Sequence, residues 1–280
     1  FDNGSMIFDK STGFITSYIY KNHEMINSFP LGDFKGFAPA FYRAPLDNDR
    51  NICKYWHTMG LQNTSNICKG SSFTDNGDNI VVTTNIKSIA NCILPVANTQ
   101  IKYTIYPNGN ILVDVNCLGG GAVKLLPRFG VMLEMPKEYE NIKYFGLGED
   151  VNLPDYKEHT INKVYQITVD KLKEDYIKPQ ESATRCDVRF AEITNASGFG
   201  LRFEAVSKPF VFSASHYTSN QWAKAMHRDD LVDLPTTCVN IDSSVLGAGS
   251  NACGPLPDKK DRVGSLSGKK LSFVVKPIGE

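Results

Sequence analysis

Five carboxylates stand in segments that read as irregular or strand-terminal: Asp47, Asp49, Glu149, Glu181 and Asp242. Glycoside hydrolysis needs two carboxyl groups flanking the bond, one of them donating a proton, within ~5–10 Å of each other. Nothing in the spacing of these five brings any two together. Carboxylates in such segments more often accept hydrogen bonds from turn amides, and that is the reading preferred for each of them. His216 and His227 could do acid/base work in a sugar-isomerising pocket. The preferred reading makes them strand-end and helix-end residues with satisfied rings.

Other chemistries leave less trace. The histidines His23, His57, His159, His216 and His227 show no H-x-x-x-H or H-E-x-x-H spacing, so a zinc site has no assembled ligand set. Asp47-Asn48-Asp49 opens like a calcium loop but lacks the downstream bidentate Glu. Gly119-Gly120-Gly121 and Gly247-Ala248-Gly249 do not fit G-x-x-x-x-G-K-[ST] and read as turns. No G-x-S-x-G elbow is present. Seven scattered cysteines without a C-x-x-C pair read as reduced thiols of a cytoplasmic protein, mostly buried as small apolar groups.

The elements that must position these residues are mostly strands. Ile101, Tyr103 and Ile105 alternate with Lys102 and Thr104. Pro107-Asn108-Gly109-Asn110 supplies a turn, and Ile111, Val113, Val115 and Cys117 resume the alternation, which predicts a hairpin. A second hairpin is predicted across Asp9 to Gly13, between Met6–Phe8 and Phe14–Tyr20. Period two recurs at 80–84, at Phe199, Leu201 and Phe203, at Phe210 and Phe212, and at Leu271, Phe273 and Val275. Helical periodicity is confined to Ser219–His227, with Ser219 as predicted N-cap, and to a short turn at Tyr55–Leu61. Irregular stretches are expected near residues 29–50, 146–160 and 243–264. Strand–helix alternation is absent, which disfavours a doubly wound or TIM-barrel architecture. The expectation is an all-β chain, residues 1–280 forming one domain.

Composition narrows the partners. Lys and Arg balance Asp and Glu at 30 each and no basic block stands out, which disfavours nucleic acid or an anionic membrane as partner. No apolar run approaches the ~20 residues that span a bilayer. No signal peptide is read, and a start at Phe1 reads as an excised or processed fragment.

Five segments carry a resemblance. Phe41-Tyr42-Arg43-Ala44-Pro45-Leu46-Asp47-Asn48-Asp49 is similar to the start of the C-terminal domain of bacterial β-galactosidases of glycoside hydrolase family two. The segments that follow agree in order. They are Phe145-Gly146-Leu147-Gly148 with Asn152 and Pro154-Asp155; Tyr176–Glu181 with Arg185 and Val188-Arg189; Phe212–Tyr217 with His227; and Asn240-Ile241-Asp242 with Gly247–Pro255. Each is weak alone; five in register over nearly the whole chain are specific.

The resemblance implies a large antiparallel β-supersandwich of the galactose-mutarotase type. It implies a parent enzyme that hydrolyses terminal β-linked galactose with retention, its catalytic glutamates on a TIM-barrel domain or large subunit, so that no catalytic residue lies in this chain. It places the last loop at the galactoside substrate, with Asn251 and Cys253 as binding residues and Arg43, Asp47, Asn48 and Asp49 as further candidates. Cofactors are absent from this segment, and magnesium and sodium are left to the parent. Some members carry Trp where Cys253 stands; a thiol offers no aromatic face, so a roomier subsite is expected. Departures occur at Glu149, Val151, Leu153 and Tyr156, which replace Pro, Glu, Tyr and Arg. Ser182-Ala183 replaces Asn-Gly, so the polar network there is expected to be rearranged.

Two rivals remain. A free-standing aldose 1-epimerase-like enzyme would need a His pair and a carboxylate on one concave face. A carbohydrate-binding module would need exposed aromatics, yet Trp56 and Trp222 are the only tryptophans, and a short helix would bury Trp222.

Overall fold

The computed structural model describes residues 1–26 and 36–279. In chain order the strands begin with β1 (Gly4–Asp9), β2 (Phe14–Tyr20), β3 (His23–Glu24) and β4 (Ala38–Ala40). Then come β5 (Thr64–Asp75), β6 (Ile80–Ala90), β7 (Leu94–Ile105), β8 (Ile111–Gly120), β9 (Arg128–Pro136), β10 (Asn141–Leu147) and β11 (Asn162–Thr168). The last are β12 (Arg185–Val188), β13 (Phe190–Thr194), β14 (Gly200–Ala205), β15 (Phe210–Ser215), β16 (Thr236–Val245) and β17 (Lys270–Ile278). Helices are short: α1 (Ile52–Met59), α2 (Val169–Leu172) and α3 (Ser219–Lys224).

Strands β1 to β3 form a small sheet. A nine-stranded sheet runs β11-β10-β13-β14-β17-β8-β7-β6-β5, and a five-stranded sheet runs β12-β15-β16-β9-β4. All the ladders between these strands are antiparallel. The predicted hairpins are β1/β2 and β7/β8. In the second, Gly109 has φ 86 and its N–H donates to the Tyr106 carbonyl at 2.9 Å, closing the turn.

The two larger sheets bury one face each against the other. Val113, Val115, Phe203, Phe273 and Val275 from one meet Phe129, Val131, Phe212 and Ile241 from the other in a single apolar cluster. Each such side chain contributes roughly 1.5–3 kcal/mol when fully buried. Strand alternation then turns Arg128, Glu134, Ser213, Asn240 and Asp242 to the opposite face of the five-stranded sheet. These residues too are buried, because loops cover that face. Period two thus selects β1, β2, β6, β7, β8, β14, β15 and β17 but not β5, β10, β11 or β13, while β9 and β16, buried on both faces, carry polar groups at core depth.

The helices shift slightly from expectation. The N-cap of α3 is Thr218, not Ser219. Its hydroxyl accepts the Gln221 N–H at 3.1 Å, and the Gln221 side chain accepts the Thr218 N–H at 2.9 Å. That reciprocal pair is a capping box, which fixes the first turn one residue earlier. Lys224 is its last residue, short of His227. Helix α1 starts at Ile52 and stops at Gly60, whose φ of 74 is the left-handed conformation glycine supplies. The irregular stretch expected near residues 29–50 lies partly outside the described residues.

Candidate functional site

The resemblance segments, scattered in sequence, meet at one end of the sandwich around the loop after β16. Leu46 through Arg50 form a tight 3-10 turn in which the Asp49 carboxylate accepts the Leu46 N–H at 2.8 Å. Asp49 also receives Arg43 Nη1 at 2.6 Å; Arg43 is fully buried and Asp49 is 2 % exposed. Arg43 reaches the loop itself, donating through Nη2 to the Leu246 carbonyl at 3.4 Å. Asn48 Nδ2 donates to the Gly249 carbonyl at 2.6 Å, and Asn51 Nδ2 to the Asn251 carbonyl at 2.7 Å.

The third support comes from Pro154-Asp155. The Asp155 carboxylate accepts the Ala248 N–H at 2.7 Å and the Gly249 N–H at 2.8 Å. Consecutive N–H groups converging on an anion form a nest, so this glycine cluster is more than a turn. A Cβ on Gly247 would lie 2.4 Å from Asp155 Oδ1, which explains the glycine there. Gln180 adds a fourth support, its Oε1 accepting the Asp47 N–H at 2.8 Å. Beneath it, Asn152 accepts the Cys186 N–H at 2.6 Å and donates to the Leu147 and Asp150 carbonyls, both at 3.1 Å. Arg185, buried, binds the carbonyls of Glu149, Leu172 and Thr184. This is the polar network that remains after the departures in sequence at Glu149 to Tyr156 and at Ser182-Ala183.

The loop tip projects from these supports. Asn251 is half-buried, and Ala252, Cys253, Gly254 and Pro255 are exposed. A cavity of about 510 Å³ opens beside it, lined by Asp47, Arg50, Cys53, Lys178, Gln180 and Ala252 among others. Of the residues expected to bind substrate, Asp47 and Cys253 are exposed, and Asn48 and Asn251 are half-buried. Arg43 and Asp49 are shut from solvent and hold one another and the chain, so in this conformation a sugar has no route to them.

The five carboxylates separate into distinct roles. Asp47 and Glu149 are exposed. Asp49 and Glu181 accept turn amides, Glu181 from the Ala183 N–H at 3.2 Å. Asp242 is fully buried, with Arg128 Nε 3.1 Å from its Oδ2, but neither carboxylate oxygen has a hydrogen-bond donor in good geometry. Burial pushes the Asp242 carboxyl up to about 7, the neighbouring Arg128 guanidinium opposing and the Glu181 charge adding to the rise. The histidines divide as well. His216 is buried with its Nδ1 3.3 Å from the Thr236 carbonyl and its Nε2 without a partner, whereas His227 is exposed. The satisfied-ring reading therefore holds at only one nitrogen of His216.

The thiols correct one expectation. Cys117, Cys186 and Cys238 are buried, Cys53 and Cys68 are half-buried, and Cys92 and Cys253 are exposed, so burial is the minority state; all seven are free. Among the described residues no three His, Cys, Asp or Glu side chains gather to hold a metal ion, and no helix is long and apolar enough to cross a membrane. Sequence reasoning missed Asn51 and the anchoring role of Asp155. The turn-forming Pro-Asp pair is a signal for the second; nothing in the sequence marks Asn51.

Known proteins bear on this arrangement in two ways. Among solved structures, the galactose 1-epimerase of Lactobacillus acidophilus superposes with a TM-score of 0.52 at 10% identity, covering 99% of this chain and 92% of that one. The likeness shows a galactose-mutarotase-like β-supersandwich. The β-galactosidase of Staphylococcus xylosus is 27% identical over 249 residues, 89% of this chain and 24% of the relative. That of Actinobacillus pleuropneumoniae is 29% identical over 248 residues, 88% of this chain and 23% of the relative. That of Streptococcus thermophilus is 25% identical over 281 residues, 99% of this chain and 26% of the relative. The chain thus spans about a quarter of the length of these relatives. A family model described as the beta galactosidase small chain matches residues 2–275. Matched over nearly its whole length, the chain belongs to the beta galactosidase small chain family.

Proposed function

We propose that residues 1–280 form the C-terminal domain of a β-galactosidase that hydrolyses terminal non-reducing β-D-galactose with retention. The catalytic carboxylates reside on a TIM-barrel domain or large subunit of the same cytoplasmic enzyme. This chain is non-catalytic alone. It packs against the barrel and shapes the entrance of the site with the tip of its last loop. Asn251 and Cys253 face the galactoside, with Asp47 and Asn48 beside them. Arg43 and Asp49 are positioning residues.

The observation that carries this reading is the convergence on one loop of two segments distant from it in sequence, 43–51 and Asp155, with Gln180 bracing the first. Arg43–Asp49, Asp155 and Asn51 hold the backbone of 246–251, and Gln180 holds Asp47. A fold does not need so many polar anchors on an exposed loop unless its tip has a set place. Of the five carboxylates singled out in sequence, Asp49 and Glu181 hold turn amides and Asp242 is shut inside the fold.

Cys253→Trp in the parent enzyme tests the contact. An indole at the tip adds an aromatic face for sugar stacking, worth about 0.5–1.5 kcal/mol. We expect KM for lactose or for nitrophenyl galactoside to change severalfold, with kcat moving less. Unchanged constants for both substrates would count against the tip reaching the site. Free-standing epimerase activity is the rival, and mutarotation of galactose by the purified chain at catalytic concentration would favour it. The binding-module reading loses support because Trp56 and Trp222 are both buried, their indole N–H groups donating to the Leu125 carbonyl and to Ser215 Oγ.

A further inference from the structure

A second cavity, of about 530 Å³, lies over the outer face of the five-stranded sheet, between β4, the start of β5 and the cap of α3. Its volume suits a small organic ligand. Among the described residues no charged side chain lines it, but five carboxamides do: Gln62, Asn63, Asn91, Asn220 and Asn240. Met132 forms part of the floor and Tyr42 part of the wall.

Two of the carboxamides are oriented by a hydrogen bond at one end. Arg128 can only donate, and it holds Asn240 Oδ1 at 2.9 Å, so Nδ2 is the half left to donate. Asn240 is 7 % exposed, which fixes that donor firmly. Asn220 gives its Nδ2 to the Gln62 carbonyl at 2.9 Å, so its Oδ1 is left to accept. A fixed donor beside a fixed acceptor matches hydroxyl groups, which do both. A charged ligand would meet no counter-charge and would lose its hydration uncompensated.

At the rim, Asn91 and Cys92 close the β6/β7 hairpin with φ of 45 and 66, the left-handed pair of a type I′ turn, and the Ile93 N–H donates to the Ala90 carbonyl at 3.1 Å. A Cβ on Gly60 would lie 2.2 Å from the Asn91 amide, so the turn packs against the end of α1.

We propose that this cavity binds an uncharged saccharide, at a site separate from the loop tip and independent of the galactosidase reading. Asn240 Nδ2 donates to a sugar hydroxyl, Asn220 Oδ1 accepts from another, and the Tyr42 ring covers the sugar face.

The two exposed cysteines make the test specific, because Cys92 lines this cavity and Cys253 sits at the loop tip. The full chain is alkylated with iodoacetamide, with lactose or maltose as the added probe, and each cysteine is followed by peptide-resolved mass spectrometry. At a sugar concentration about twice Kd, Cys92 should label about threefold more slowly while Cys253 keeps its rate. Ser65→Trp, at an exposed residue of the rim, should abolish the protection with no change in the unfolding midpoint. Labelling of Cys92 indifferent to both sugars, equal slowing of both cysteines, or protection that survives Ser65→Trp would each overturn the proposal. Protection of Cys253 alone would do so too, while leaving the loop-tip reading intact.

Discussion

Replacing Asp49 by alanine should destabilise the chain by about 3–5 kcal/mol, the usual consequence of stranding one member of a buried ion pair. The substitution leaves the Arg43 guanidinium with no exposed surface and no counter-charge. Carbonyl contacts at Ala44 and Leu246 and the Trp56 ring 5.5 Å away remain, but none of them carries a full negative charge. The same carboxylate accepts the Leu46 N–H, so the 3-10 turn loses its cap as well. The turn carries Asn48, whose amide holds Gly249, and damage should therefore spread to the loop tip. Urea unfolding measures the first effect and limited proteolysis of 246–258 the second. A loss under about 1 kcal/mol, within the range of an exposed pair, would show that the pair does not anchor the turn. Arg43→Met combined with Asp49→Leu separates charge from position: it should recover much of the stability but leave the loop more easily cleaved.

The second large effect is on pH. The folded-state Asp242 carboxyl is raised from 3.8 to about 7 by burial. The folded chain therefore holds a proton there that the unfolded chain has released, and stability falls as pH rises between those values. The slope is about 1.4 kcal/mol per pH unit within the window. Below about pH 4 both states are protonated and the effect is constant. Asp242→Asn, which cannot ionise, should flatten the curve between pH 5 and pH 7. Urea midpoints at those two pH values, for both proteins, decide the matter. An equally steep fall in the variant would move the cause to another group, and a rise in the unsubstituted chain would contradict the raised carboxyl.

Much of the fold was legible because period two is a strong signal wherever one face of a strand is wet. The β7/β8 hairpin shows it, with Tyr103 and Val113 inward and Lys102 and Asp114 outward. It fades where loops cover the second face. Strand β9, Arg128–Pro136, is buried along nearly all its length and reads as an apolar run with Arg128 and Glu134 embedded in it. No local pattern distinguishes those two from surface charges; for Arg128, it is Ser213, Asn240 and Asp242, brought by β15 and β16, that make it a core residue. The site was legible in outline through the segments at 41–49, 152–155, 176–185 and 247–255. Their division of labour was not. Arg43 and Asp49 look like ligand-binding residues in sequence because charged side chains usually face water, and a buried pair is invisible until both ends are placed. Asp155 is the reverse case: a common turn residue in sequence that, folded, closes the glycine nest from 93 residues away along the chain. The helix cap moved from Ser219 to Thr218 for a local reason, since both hydroxyls are competent and only Thr218 lies three residues before Gln221.

The claim that everything else depends on is that the 246–255 loop is held in place to serve a galactoside site completed by other parts of the enzyme. Asp155→Ala tests it most directly, because the residue is exposed and its carboxylate joins the loop only through the Ala248 and Gly249 amides. Measured in the parent enzyme with lactose, kcat/KM should drop about tenfold, equivalent to roughly 1.4 kcal/mol of lost positioning, while the unfolding midpoint of the domain moves little. Full kcat/KM in a variant whose loop is demonstrably loosened by proteolysis would contradict the account.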